Sequence, residues 1–102
     1  MGEDVESSLL EHARVAAADR GTELAPAGYE RVRGLVADMA ANVTDDADIA
    51  RAEESVRRLV ETAADAAAGD PEGRRAGNGH LVEDKHVDGA LLSLCPGLWP
   101  FC

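Results

Sequence analysis

Before residue 70 the apolar positions fall into three stretches with helical spacing. Val5, Leu9, His12, Ala13 and Ala16 recur at intervals of three and four, which predicts a first helix over residues 4–20 with Gly21 as its stop. A short connection leads to Pro26, a residue suited to the first turn of a second helix. Tyr29, Val32, Val36, Met39 and Val43 then repeat in steps of 3, 4, 3 and 4, and Ile49, Ala52, Val56, Leu59 and Ala63 do the same. Two seams of equal length, separated by the polar stretch 44–48, predict an antiparallel helical hairpin. Thr44, Asp45 or Asp46 is placed to cap the third helix and to put negative charge at its positive end. Glu53–Arg57 and Glu54–Arg58 are i,i+4 pairs in the favourable order, worth about 0.3–0.5 kcal/mol each.

The pattern breaks at residues 69–79, where four glycines, one proline and four charged residues fall within eleven positions. This composition predicts a flexible, exposed linker. Beyond it, Leu81, Val87, Leu91 and Leu94 are partly in phase and predict a short helix within 80–94, weakened by Gly89. The last eight residues, Cys95 to Cys102, carry two prolines and a glycine and cannot be helical. The expected fold class is therefore all-α: a three-helix bundle over 1–68 built around the hairpin, a linker over 69–79, and a short helix with an irregular Cys/Pro/aromatic tail over 80–102.

Composition narrows the functions open to such a chain. Its 102 residues suffice for one domain, and the 45% hydrophobic fraction is swollen by alanine, which buries little area. A net charge of −10 disfavours nucleic acid and anionic membranes as partners, because both require clustered lysine and arginine. No apolar run is long enough to span a bilayer, and the N-terminus lacks the features of a secretory signal, so a soluble, cytoplasmic protein is expected. Arginine supplies nine of the ten basic residues, a bias typical of high-GC bacterial genomes. Phosphate loops, nucleophile elbows and metal-hydrolase motifs are missing from the sequence, and a stand-alone enzyme is not expected.

The unusual chemistry is gathered at the C-terminus. Both cysteines, the one tryptophan and the one phenylalanine lie in the final eight residues. Pro96-Gly97 is a turn pair that would help bring Cys95 and Cys102 together. A disulfide between them would restrict the unfolded chain by roughly 2.5 kcal/mol in the loop-entropy model, and would display Leu98, Trp99 and Phe101 on a small ring. The same tail can be read as a latch, with its large side chains folded back onto an alanine-lined bundle. A third reading is a zinc site. His80, His86, Cys95 and Cys102 supply two imidazoles and two thiols within 23 residues, although the gaps of five and six residues are wider than zinc folds commonly use.

An acidic helical N-terminal part, a glycine-rich hinge and a short Cys/Pro/aromatic C-terminus resemble the leader–core organisation of precursors of ribosomally synthesised, post-translationally modified peptides. That resemblance implies a modifying enzyme that grips the helical region and acts on the C-terminal core, with export of a processed peptide. It implies no cofactor of the chain's own. Cys95 and Cys102 would be the first targets, being the strongest nucleophiles present, and Trp99 and Phe101 would be candidates for oxidative cross-linking. The alternative is a small helical interaction protein with a structural or zinc-binding tail. Its partner surface, for another protein or a second copy in a homodimer, would be the seams of Tyr29, Val32, Val36, Met39, Ile49, Val56 and Leu59.

Overall fold

The first apolar stripe forms α1 (Gly2–Asp19) in the computed structural model, which describes every residue except Met1, Asn78, Gly79 and Cys102. Gly21, at φ +71°, ends the helix in the left-handed conformation that glycine adopts without a Cβ penalty. Gly21 N–H then donates to Ala18 O at 3.0 Å and Thr22 N–H to Ala17 O at 2.9 Å, the paired bonds of a Schellman stop. The buried Thr22 hydroxyl adds a second bond to Ala17 O at 2.8 Å. A two-residue strand, β1 (Glu23–Leu24), comes next, and α2 (Pro26–Asn42) starts with Pro26 in its first turn.

Asp45 caps α3 (Asp46–Ala68) by accepting the Asp48 N–H at 3.0 Å. The Asp48 carboxylate reaches back to accept from the Thr44 hydroxyl at 2.7 Å and the Thr44 N–H at 3.0 Å. Those two bonds favour the charged form and hold the Asp48 carboxyl below its usual range. Glu53, expected beside Arg57, instead meets His12 of α1 at 2.9 Å. Arg20 joins the same pair of helices through Glu61 and Asp65 at 3.4 and 3.2 Å. All of these pairs are solvated, so they orient α1 on α3 more than they stabilise it.

The stretch expected to be a linker contains a short helix, α4 (Pro71–Arg75), whose first turn is held by Asp70 Oδ1 accepting the Glu72 N–H at 3.1 Å. The chain then makes β2 (Leu81–Val82) and α5 (Asp84–Leu94). β1 and β2 pair in parallel, Glu23 opposite Leu81 and Leu24 opposite Val82. Parallel pairing requires a crossover between the strands, and here α2, α3 and α4 provide it. The order helix–strand–helix thus occurs twice, as α1–β1–α2 and, with the short α4 interposed before the strand, as α3–α4–β2–α5, although no repeat is visible in the residues themselves.

The packing departs from the expected three-helix arrangement. α1 and α5 each lie against both α2 and α3, whereas α2 and α3 meet much less, across a diagonal. The two heptad seams do not face each other as a closed hairpin. They turn toward a common centre that also receives Leu9 and Ala13 from α1 and Val87 and Ala90 from α5, all 2% exposed or less. The alanines of α1, weak as hydrophobes, are small enough to let α3 approach closely.

The core draws on residues from both sides of the expected linker. One core cluster runs from Val5 to Leu98, with Val82, Val87 and Leu98 fully buried in it. The radius of gyration, 13.1 Å, matches the roughly 13 Å of a single 100-residue domain. No helix among the described residues is long and apolar enough to cross a membrane.

Candidate functional site

The C-terminal segment is seated on the bundle. Gly97 takes φ +124°, as the Pro96-Gly97 turn requires, and Phe101 N–H closes a tight turn on Leu98 O at 2.9 Å. Leu98 is fully buried, and Trp99 and Phe101 are half-buried against the core. Cys95 is half-buried and disulfide-bonded. Cys102, the chain's other cysteine, lies outside the described residues.

Of the four candidate zinc ligands, the three that are described, His80, His86 and Cys95, are not brought together. The His80 ring is exposed beside Glu23, its Nε2 3.9 Å from the carboxylate. Cys95 has no thiolate to offer while it is in a disulfide. His86 is buried elsewhere, at the start of α5, and both of its ring nitrogens are engaged. Its Nδ1 accepts the Glu83 N–H at 3.0 Å, which leaves Nε2 to carry the proton and donate to Asp70 Oδ2, also at 3.0 Å. Lys85 Nζ lies 3.1 Å from the same Asp70 oxygen, and 3.8 and 3.9 Å from Glu83 and Glu72.

These contacts define the physical character of the cluster. The hydrogen bond from His86, and after it the bond and charge of Lys85, hold the Asp70 carboxyl far below the usual carboxylate range. Lys85 is in turn raised above its ordinary value, first by its bond to Asp70. Asp70, Glu83 and His86 place their donor atoms within 4.8 Å of one another, a different donor set from the one the sequence suggests. The cation that already sits among those carboxylates is the Lys85 ammonium. With neither His86 nitrogen free to take a proton from a substrate, the arrangement fastens the α3–α4 corner to the head of α5.

The candidate partner surface is also redistributed. Val32, Val36, Met39, Val56 and Leu59 are 1% exposed or less and are consumed by the chain's own core. Ile49 is half-buried at its edge, and Tyr29 reaches a different feature, a groove between α1 and α2.

Three adjoining hollows make up that groove. The widest, about 510 Å³, is bounded by Ala18 and Arg14 of α1, Leu24 of β1, and Pro26 and Tyr29 of α2. Arg14 and Tyr29 also bound the next, of about 270 Å³, where Leu10 joins them. Leu10 in turn leads to the third, of about 280 Å³, beside Arg33, Gly34 and Ala37. The Arg14 guanidinium lies over the Tyr29 ring, 5.3 Å from its centroid, and stiffens the middle of the groove. Of these residues, periodicity in the sequence marks Tyr29 alone. The available signal for the others is the small pair Gly34 and Ala37, exposed positions set between the residues of the α2 seam.

Comparison of the chain with protein families, with curated proteins and with solved structures returns no match.

Proposed function

We propose that this chain is a small helical interaction protein whose C-terminal segment is a structural latch and whose docking surface is the α1–α2 groove. The observation that carries this reading is the groove itself, a concave surface flanked by the half-buried side chains of Leu10 and Tyr29. Most of the larger apolar side chains of the helices are buried in one core. Concave, partly apolar surfaces with a few fixed polar groups are where proteins receive ligands and peptides.

A leader–core precursor would need its core accessible to a modifying enzyme. The full burial of Leu98, with Trp99 and Phe101 half-buried beside it, favours the latch over that reading. The large side chains of the tail give a core otherwise rich in alanine some of its bulk.

Intact mass of the protein from its native host, before and after reduction, distinguishes the two. The expected result is an unmodified chain whose only mass change is the two hydrogens restored on reduction. A further mass change that survives reduction and maps to residues 95–102 would overturn the latch reading and make residues 1–79 a leader.

A further inference from the structure

The docking reading leaves the partner's chemistry open, and the groove restricts it. Resting on that reading, we propose that the groove receives one amphipathic helix from another protein, about three turns long and carrying lysine or arginine along its edges.

Length comes from the lining of α1. Glu6, Leu10, Arg14 and Ala18 fall on one stripe, and the twelve steps from Glu6 to Ala18 span about 18 Å at 1.5 Å per residue. About twelve residues of a guest helix cover that distance. The facing wall carries Gly34 and Ala37, and a Cβ built on Gly34 meets nothing within 4 Å. Small residues there let a second helix come close, as ridge-into-groove packing requires. The wide end, bounded by Leu24, Pro26 and Tyr29, has room for a large apolar anchor.

Charge selects the class of helix. Glu6 and Glu11 line the groove and have no ion-pair partner among the described residues. Glu30 and Glu23 extend the acidic edge, Glu30 shared with Arg33 at 3.6 Å and Glu23 with His80 at 3.9 Å. Two arginines also line the groove, Arg33 offset by Glu30 and Arg14 set over Tyr29, so four carboxylates face two guanidinium groups and the balance is acidic. A chain of net charge −10 also repels a second copy of itself, which disfavours self-association as the use of this surface. A basic helix is attracted over the same distance and gains register from the acids at the groove edge.

The test uses the full-length, isotope-labelled protein and two synthetic 14-residue helical peptides. One has leucines at every third or fourth position with lysines between them, and the other replaces each lysine by glutamate. The lysine peptide is expected to shift amide resonances of residues 6–18 and 26–37, and to weaken as salt is raised. Gly34→Lys keeps the fold, since the added side chain enters open space, and should lower its affinity at least tenfold. Ala66→Lys, the same charge change on the exposed face of α3, should leave affinity within twofold. If the lysine peptide shifts no resonance in α1 or α2, the docking surface and the partner class both fall. If the glutamate peptide seats there equally well, the docking surface stands and the basic partner is overturned. Concentration-dependent shifts of the same residues without peptide would replace the partner by a second copy and also overturn it.

Discussion

Gly28, in the first turn of α2, lies against the backbone of Val82 in β2, and a Cβ placed on it would overlap the Val82 carbonyl oxygen. The contact joins the two helix–strand–helix halves. Beside it, Ala25 N–H donates to Val82 O at 2.9 Å and Glu23 N–H to His80 O at 2.9 Å, so the parallel strand pair depends on this approach. Gly28→Ala is expected to destabilise the fold by about 1–3 kcal/mol, because backbone rather than a flexible side chain must move. Gly34→Ala serves as its counterpart. With nothing near the new methyl group, it should stabilise the fold by roughly 0.5–1 kcal/mol. Urea denaturation of the two variants beside the parent checks both signs.

Leu98→Ala is expected to cost about 2–5 kcal/mol, the range for truncating a fully buried leucine. Leu92→Ala, six residues earlier on α5 and 78% exposed, should change stability by less than about 0.5 kcal/mol. Thermal melts followed by circular dichroism compare them directly. Equal, negligible effects would mean that the tail contributes nothing to the core.

The Asp70–His86 contact fixes the sign of the acid response. The Asp70 carboxyl is depressed below its ordinary value of 3.8 in the folded state, so it contributes stability at pH values above 3.8. That contribution is lost progressively as pH falls below 3.8 toward the lower folded-state value, where the carboxylate finally protonates. Asp70→Asn should therefore lower the melting temperature at pH 7, and its melting temperature should converge with that of the parent as the pH is taken below 3.8. Parallel curves across the whole range would show that the pairing carries no linkage.

Much of this fold is legible in the sequence, and the exceptions have physical causes. The seams on α2 and α3 are visible because valine, leucine and methionine recur with the helical period, and Asp45 stands where a cap is needed. The partner of each seam is not visible, since α1 presents Ala13, Ala16 and Ala17, whose small size reads as weakness but permits close packing. The pairing of β1 with β2 escapes notice because two-residue strands carry no alternation, and their residues are far apart in the chain. Gly89 and the glycines of 69–79 suggest that the C-terminal residues are detached, yet Val82, Val87 and Leu98 supply buried contacts from three separate elements that no single window joins. The Asp70–His86 fastening links a residue inside the expected linker to one beyond it, and the groove exists only as space between two helices, so neither has a linear signature.

Native-state hydrogen exchange tests the single-core account most directly. The expected result is that the amides of Val87 and Ala90 in α5 exchange with the same free energy as those of Val56 and Leu59 in α3, all opening by global unfolding. Exchange of the α5 amides many times faster, with α2 and α3 still protected, would contradict it. The C-terminal segment would then be a separable tail, as a leader–core precursor requires.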